Sequence, residues 1–304
     1  MALGIDKLLQ LKSKNTLVNV MYHGVTTQNS CFFSPRHVVV NDFEKEIRYF
    51  RKNFEIISID EAFQRIRNCQ GFTKKTITIS FDDGFANNLN VALPILEKYD
   101  IPVTFFVSGI CVENDGNCVL WPEIIAALKY FFKNPSLYSD KDFADLTNKI
   151  KAMPYQERDT FLYDLDKKHQ ILDKIHTLPE EIWQLLDKNQ LIKMSKSKIV
   201  TIGSHGYNHY NLGQIEKDSA KFELEHSKKL LESAIQKEVK HIAYPDGNYD
   251  ETVKNIAESA GYEGQMAVKY RLPNDKTDNR ILDRFGISAT TTYESNILFL
   301  SKSF

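Results

Sequence analysis

Short apolar runs rich in β-branched residues alternate along this chain with amphipathic segments. That alternation predicts repeated βα units, and therefore an α/β fold with a largely parallel sheet. Seven strands favour an incomplete (β/α) barrel, and an open sheet is the alternative. The predicted strands are Leu17 to Met21, Glu55 to Ser58, Thr76 to Ser80, Val103 to Val107, Ile199 to Ile202, Lys240 to Tyr244 and Gly264 to Val268.

A long stretch without a predicted strand separates Val107 from Ile199. Ordinary connections in α/β folds have roughly 2 to 6 residues, so this stretch needs structure of its own. We expect a helical insertion at about 113–198 in a single domain of residues 1–304, with solvated charged faces or, alternatively, a role as a substrate lid. The predicted helices are Trp121 to Phe132, Lys141 to Lys151, Tyr155 to Lys168 and Pro179 to Leu191.

Composition and charge limit the classes of partner. Hydrophobic residues make up 42% of the 304 residues and charged residues 26%, which is enough to bury a sizeable core. The formal net charge is −1, and the chain has no long basic run. Nucleic-acid binding is therefore not expected, and the predicted partner is a small or neutral molecule.

The apolar runs are too short for a transmembrane segment, which needs roughly 18 consecutive apolar residues. Residues 1–14 carry lysines around a short apolar stretch and lack the long hydrophobic region of a secretory signal. We interpret them as a peripheral helix and predict a cytoplasmic protein, with peripheral membrane contact as an alternative. Of the four cysteines, Cys111 and Cys118 flank a turn-like run; reduced thiols are expected, and a disulfide there is the alternative.

Two constellations of chemically active residues follow predicted strands. Asp82 and Asp83 come directly after the strand that begins at Thr76, at the kind of strand end where α/β folds place active sites. His205 and His209 follow another strand, at a spacing that lets both imidazoles reach one ion. Two histidines with one carboxylate leave open positions for water and substrate, as a catalytic metal requires. An ordinary turn with a helix cap and packed structural histidines are the alternative readings.

Two further segments have weaker signals. Tyr244 and Pro245 begin a turn after the strand that contains His241, and a plain Pro-Asp-Gly turn is the alternative interpretation. Asp283 and Arg284 lie near the end of the chain, where a surface ion pair is the alternative.

Taken in order, these residues resemble the polysaccharide deacetylase family, also called the NodB-homology family or carbohydrate esterase family 4. The first motif corresponds to residues 80–84, the second to 204–209, and the third to Tyr244, Pro245 and Gly247. The run 21–25 (MYHGV) and the run 41–43 (NDF) resemble the branch that includes poly-N-acetylglucosamine deacetylases and enzymes of surface-polysaccharide biosynthesis.

The resemblance implies a distorted (β/α) barrel and a role for each motif residue. Asp82 is expected to be the general base. Asp83, His205 and His209 are expected to hold one divalent metal, zinc first and another first-row ion as the alternative. Two departures from the family pattern leave roles open.

The third motif of the family often contains an arginine that binds the catalytic aspartate, and here the matching stretch offers His241, so Arg284 is our candidate replacement. The family's last motif commonly supplies a histidine acid, but no histidine follows His241. His23 or His37 could protonate the leaving amine if the N-terminal part covers the pocket, and a packed structural imidazole is the alternative for each.

The predicted reaction is hydrolysis of the N-acetyl group of an N-acetylated sugar, which is a polymer, a lipid-linked sugar or a nucleotide-linked sugar. Asp82 would take a proton from water, and the backbone N–H of Tyr244, with Pro245 beside it, would help to hold the oxyanion. One alternative is a hydrolase of another amide or of an O-acetyl ester. Another is a carbohydrate-binding relative without turnover.

Overall fold

The computed structural model describes residues 17–28, 33–132 and 139–304, which form a nine-stranded sheet and a separate two-stranded sheet. The strands are β1 (Leu17–Tyr22), β2 (Gly24–Thr26), β3 (His37–Val39), β4 (Glu55–Ile56), β5 (Thr76–Phe81), β6 (Val103–Val107), β7 (Val200–Ser204), β8 (His241–Ala243), β9 (Gly264–Met266), β10 (Ile281–Leu282) and β11 (Arg284–Gly286).

The α-helices of the described residues cover the sheet and fill the long connection between β6 and β7. They are α1 (Val40–Asn53), α2 (Ile59–Arg67), α3 (Leu93–Tyr99), α4 (Ile110–Glu113), α5 (Trp121–Phe132), α6 (Asp140–Lys151), α7 (Tyr155–His169), α8 (Ile171–Ile175), α9 (Lys188–Ser195), α10 (Lys217–Ile235), α11 (Glu251–Ser259) and α12 (Tyr293–Lys302).

The strands of the large sheet pair in parallel, in the order β10-β9-β8-β7-β6-β5-β1-β11, with β4 beside β5. The end strands β10 and β11 are separated in sequence by Asp283 alone, so one short segment joins the two ends of the sheet. The predicted α/β fold with a distorted barrel is confirmed. All seven predicted strands are present, whereas β2, β3, β10 and β11 were missed because two or three residues are too few to show a periodicity.

The central strand β5 explains how a carboxylate reaches the site. All six residues of β5 are buried, and successive side chains point to opposite faces. Ile77 and Ile79 join the hydrophobic core, while the Thr78 hydroxyl donates to Asn19 Oδ1 at 2.7 Å. Ser80 lies on the same face as Thr78, and this alternation places Asp82 on that polar face too.

The helices between β6 and β7 have a hydrophobic cluster of their own, centred on Trp121, Ile125 and Ile171. Three of the four predicted helices are present as α5, α6 and α7. The prediction of a helix over Pro179 to Leu191 is wrong. A short 3₁₀ turn covers Glu180–Ile182, and α9 begins only at Lys188.

The chain between that turn and α9 is extended because it packs against the loop after β5. Leu186 N–H donates to the Gly84 carbonyl at 2.9 Å, and Leu185 forms an antiparallel bridge with Phe85. These tertiary contacts outweigh the local preference for a helix. The connection between β6 and β7, called the helical segment below, therefore packs against the loop that carries Asp82 and Asp83.

Three other sequence predictions concern the surface and the termini. The helix predicted for residues 1–14 lies outside the described residues. None of the helices in the described ranges has both the length and the apolar character that a membrane crossing requires. Cys69, Cys111 and Cys118 are free thiols, so the alternative of a Cys111–Cys118 disulfide is not present.

Candidate active site

Two adjacent carboxylates lie where β5 ends. The Asp82 N–H donates to the Tyr22 carbonyl at 3.0 Å, which extends the pairing of β1 with β5 by one residue. The backbone then turns at Asp83, with φ of 75°, and at Gly84, with φ of 89°. A left-handed conformation is strained for a residue with a Cβ atom, and here it directs the Asp83 side chain towards the loop after β7.

Asp83, His205 and His209 are buried, and one ligand atom from each lies within 4.8 Å of the others. Asp83 Oδ1 is 3.4 Å from His205 Nε2 and 3.2 Å from His209 Nε2. Among the described residues this buried oxygen has no hydrogen-bond partner, which is costly unless another group satisfies it. One carboxylate and two imidazoles are a donor set that suits a first-row divalent cation, so the residues fit a metal.

A hydrogen bond fixes the orientation of the His205 ring. His205 Nδ1 lies 2.8 Å from the carbonyl oxygen of Ala243 at the end of β8. A carbonyl only accepts, so Nδ1 carries a proton, and in the neutral ring Nε2 offers its lone pair to the cluster. Burial lowers the pKa of His205, but the carboxylates of Asp82 and Asp83 outweigh burial and raise it overall.

The loop of His209 is held on one side by α10. His209 has φ of 52°, another left-handed residue with a side chain. The buried carboxylate of Glu223 accepts the N–H groups of Tyr207 and Asn208, both at 2.9 Å. These two charge-assisted hydrogen bonds stabilise the turn between the two histidines.

The helical segment holds the same loop from the other side. Trp121 Nε1 donates to the His209 carbonyl at 3.1 Å, and Arg158 Nη1 donates to the same oxygen at 3.2 Å. Arg158 Nη2 also donates to the Asn208 carbonyl at 2.9 Å, and its guanidinium lies over the Tyr210 ring. Side chains from α5 and α7 therefore fix the backbone of a predicted metal ligand.

Asp82 forms a bidentate ion pair with Arg284 of β11. Arg284 Nη1 donates to Asp82 Oδ1 at 2.6 Å and Nη2 donates to Asp82 Oδ2 at 2.8 Å, with both side chains buried. Burial opposes the charge and would raise the pKa of Asp82, but Arg284 and His205 outweigh it, so the pKa lies below its usual range. Asp82 is therefore ionised at neutral pH.

Asp83 has a guanidinium of its own. Arg36 Nη1 donates to Asp83 Oδ2 at 2.8 Å, while Arg36 Nη2 contacts Glu123 of α5. Burial would raise the pKa of Asp83, but Arg36, His205 and His209 outweigh it and hold the pKa well below its usual range. The second oxygen of Asp83 is thus occupied, and Oδ1 faces the imidazoles.

These groups open into a cavity of about 530 Å³. Asp82, His205 and His209 lie on its wall, together with Trp121 and Ile125 of the helical segment. Lys151 and Asp246 also line the cavity and are joined by an ion pair of 2.7 Å. A cavity of this size suits a small organic ligand.

A family model described as polysaccharide deacetylase matches residues 70–265, well over half of the chain. The chain belongs to the polysaccharide deacetylase family. Its resemblance to that family is therefore confirmed.

Curated relatives are distant. The Bacillus subtilis (strain 168) protein YxkH is 22% identical over 245 residues, covering 80% of this chain and 61% of that protein. The poly-beta-1,6-N-acetyl-D-glucosamine N-deacetylase of Staphylococcus aureus (strain MSSA476) is 28% identical over 188 residues, covering 56% of this chain and 64% of that protein. The chain thus spans about three fifths of the length of the curated relatives it matches.

Solved structures share the fold over nearly the whole chain. The Streptococcus pyogenes deacetylase PplD, solved in complex with acetate, superposes with a TM-score of 0.63 at 18% identity, covering 94% of this chain and 98% of that one. IcaB from Ammonifex degensii superposes with a TM-score of 0.62 at 15% identity, covering 95% and 98%. At such low identity these likenesses establish the fold of the family.

The family motifs leave two N-terminal histidines to be placed. His23 lines the cavity with Asp82 and His205, and burial together with Arg36 and His205 lowers its pKa although Asp83 and Asp82 oppose that shift. His37 is fully buried, and its Nδ1 lies 2.9 Å from Asn87 Nδ2. Burial lowers the pKa of His37 to about 3, and it is not on the cavity wall of the described residues. Of these two N-terminal histidines, only His23 lines the cavity and can contact a substrate there.

The structure corrects the predicted placement of Tyr244, Pro245 and Arg284. The Tyr244 N–H donates to the Met266 carbonyl at 3.0 Å within the sheet, so it is not available as the predicted oxyanion donor. Neither Tyr244 nor Pro245 is on the cavity wall that the described residues form. Arg284 does not line the cavity either, because it lies behind Asp82.

His241, which occupies the place of the family's arginine, has a structural role at the other end of its strand. It is buried, its Nε2 lies 2.8 Å from Asp60 Oδ1, and its ring stacks on Phe63.

Several residues around the site were missed by sequence reasoning. Glu123 carried a signal, since a carboxylate among the apolar residues of α5 is unusual in a buried helix. Asp246 lies within the third motif, but the sequence analysis assigned it no role at the site. Arg36 and Arg158 had no local signal, because their partners lie 47 and 51 residues away in sequence.

Proposed function

We propose that this chain is a metal-dependent hydrolase that removes the N-acetyl group from an N-acetylated sugar in polysaccharide biosynthesis. The supporting observation is the convergence of Asp83 Oδ1, His205 Nε2 and His209 Nε2, together with the cavity that Asp82, His205 and His209 line. The name of the Staphylococcus aureus relative supports N-acetylglucosamine as the sugar. In this proposal residues 1–304 act as one catalytic domain, with the insertion at about 113–198 as a cavity wall.

Asp83, His205 and His209 would hold the cation, with zinc as our first choice. A divalent cation at such a site acts as a Lewis acid and lowers the pKa of water towards neutrality. The Ala243 carbonyl orients the His205 ring so that Nε2 faces Asp83, and hydrogen bonds from Glu223, Trp121 and Arg158 fix the backbone that presents His209. This chain therefore supplies an oriented ligand set.

Asp82 is proposed as the general base. Its carboxylate lines the cavity, and its pairing with Arg284 keeps it ionised at neutral pH, so it can accept a proton from water. Because both Asp82 oxygens bind Arg284, the ion pair also fixes the direction of the carboxylate. In this respect Arg284 takes the place of the arginine that the third motif lacks.

The leaving amine must be protonated as the C–N bond breaks. His23 lines the cavity and is not one of the proposed metal ligands, but its lowered pKa leaves it neutral at neutral pH. We propose that His23 donates after it receives the proton that Asp82 took from water. Direct return of that proton by Asp82 is the alternative, and substitution of His23 separates the two.

The decisive experiment measures acetate release by the purified, zinc-loaded chain. The panel contains β-1,6-linked N-acetylglucosamine oligomers, nucleotide-linked and lipid-linked N-acetylglucosamine, and an O-acetylated sugar. We expect release from at least one N-acetylated sugar and loss of release after chelation. Release from the O-acetylated sugar alone would assign an esterase, and no release from any substrate would contradict the proposal.

A further inference from the structure

Arg36 connects a predicted metal ligand to the helical segment. It lies between β2 and β3, and its guanidinium reaches Asp83 with Nη1 at 2.8 Å and Glu123 with Nη2. The side chains of Asp83 and Glu123 have no exposure, and that of Arg36 is 17% exposed. The ring of Phe85 lies 5.6 Å from the same guanidinium. Arg36 is thus held by two buried carboxylates and one aromatic face.

The buried carboxylate of Glu123 stabilises Arg36 in its observed position. An ionised carboxylate buried without a partner is very unfavourable, and Arg36 is the one ion-pair partner of Glu123 within the described ranges. Arginine suits this position because its planar fork can bind two carboxylates at once, whereas lysine offers a single point charge.

The arrangement restricts how Asp83 can act. A carboxylate can bind a metal through one oxygen or through both. Arg36 occupies Oδ2, and Oδ1 remains to face His205 and His209. The charge of Glu123 offsets that of the guanidinium, so a cation at the three ligands faces little net repulsion from this pair.

We propose that Arg36 is a positioning residue that limits Asp83 to one ligand oxygen, and that Glu123 holds Arg36 in that position. The inference rests on the proposed metal site. It assigns the helical segment a function beyond lining the cavity: through Glu123 it sets the number of carboxylate oxygens at the cation and thereby keeps a coordination position open for water or substrate.

The test replaces the native ion by Co²⁺, whose visible absorption depends on the number of its ligands. The variants are Glu123→Gln, Arg36→Lys and the double variant Arg36→Met with Glu123→Gln, which leaves no charge at position 123 and leaves Asp83 to pair with the bound cation. The exposed pair of Arg67 and Glu263 gives a matched control, Arg67→Met with Glu263→Gln.

We expect the unaltered chain and the control to bind one Co²⁺ with the same spectrum. The double variant should still bind one Co²⁺ with a changed spectrum and with kcat lower by about 10- to 100-fold. Glu123→Gln and Arg36→Lys should change the spectrum in the same direction by less, and they serve as the measurement if the double variant does not fold.

Unchanged spectra in Glu123→Gln and Arg36→Lys would overturn the positioning role while leaving the metal site intact. A parent-like spectrum and kcat in a folded double variant would overturn it as well. Failure of the unaltered chain to bind Co²⁺ would instead contradict the proposed metal site itself.

Discussion

At the scale of single residues, Asp82 and Asp83 are neighbours with different surroundings. Both oxygens of Asp82 bind Arg284, whereas Asp83 divides its oxygens between Arg36 and the two imidazoles. In a continued strand the two side chains would point to opposite faces, whereas the left-handed φ of Asp83 turns its side chain towards the loop after β7. Identical side chains therefore have different partners, and their substitutions should have different effects.

We predict that Asp82→Asn keeps one metal per chain and loses turnover, while Asp83→Asn loses both. An amide cannot accept the proton from water, but Asp82 is not among the three converging ligands. Metal analysis by mass spectrometry, together with acetate release, checks both variants. Equal loss of metal from the two variants would contradict the division of roles.

The ion pair with Arg284 predicts a pH effect. Arg284 lowers the pKa of Asp82, so replacing Arg284 by Met should raise that pKa and move the acid limb of kcat/KM to higher pH. Arg284→Lys keeps a charge and should move the limb less.

Because an unpaired buried carboxylate costs about 3 to 5 kcal/mol, denaturant unfolding is measured alongside the pH profile. An acid limb at the parent position in folded Arg284→Met would show that another group controls the profile.

Substitution of His23 should distinguish two kinds of substrate. His23→Ala is expected to slow amide hydrolysis by about 10²- to 10⁴-fold but to leave an activated phenyl ester nearly unaffected, because a phenolate leaves without a proton. The two rates are compared on one enzyme preparation. Equal slowing of both would mean that His23 shapes the cavity, and no slowing would assign the donor role to Asp82.

At the scale of secondary-structure elements, the sequence predicted the parts that local patterns control. The buried strands β5 and β6 are long enough to show their apolar runs, and α5 to α7 have clear starts and stops. The helix predicted at Pro179 failed because Leu185 and Leu186 are held extended by the loop after β5. A contact across such a distance in sequence is invisible to periodicity.

The hydrogen bonds from Arg158 of α7 to the His209 loop should affect the affinity for the metal. Arg158→Met removes two hydrogen bonds to the loop carbonyls, so the dissociation constant of the metal should rise by about 10- to 100-fold. Competition with a chromophoric chelator measures it. Arg48→Met, at an exposed arginine of α1, is the matched control and should leave the constant unchanged. A parent-like constant in a folded Arg158→Met would refute this role of the hydrogen bonds.

At the scale of the whole molecule, the site contains residues that lie in local sequence motifs and residues that only the fold brings to them. Asp82, Asp83, His205 and His209 lie in local motifs at strand ends, so their grouping could be predicted from one sequence. Residues that hold them, such as Arg36 and Glu123, come from segments brought together only by folding. No spacing rule specifies such a pairing, because its energy depends on burial and on a partner far along the chain.

Binding of a cation to the folded state alone should stabilise the entire domain. At a free metal concentration 100 times the dissociation constant, the gain is about 2.7 kcal/mol, which corresponds to roughly 4 °C in Tm for a chain of this length. We expect a chelator to lower Tm by that amount and added zinc to restore it. Asp83→Asn should show no such response; an equal response there would place the cation elsewhere.

The short segment around Asp283, which joins the two ends of the sheet, has a consequence for protein synthesis. Arg284 lies 202 residues after Asp82, so the ribosome adds Asp82 long before it adds the arginine that pairs with it. At 5 to 20 residues per second the interval is roughly 10 to 40 s. During that time the nascent chain lacks both β11, the last strand of the sheet, and the guanidinium that fixes the direction of the Asp82 carboxylate. The oriented carboxylate that the proposed reaction requires can therefore form only after translation has passed residue 284.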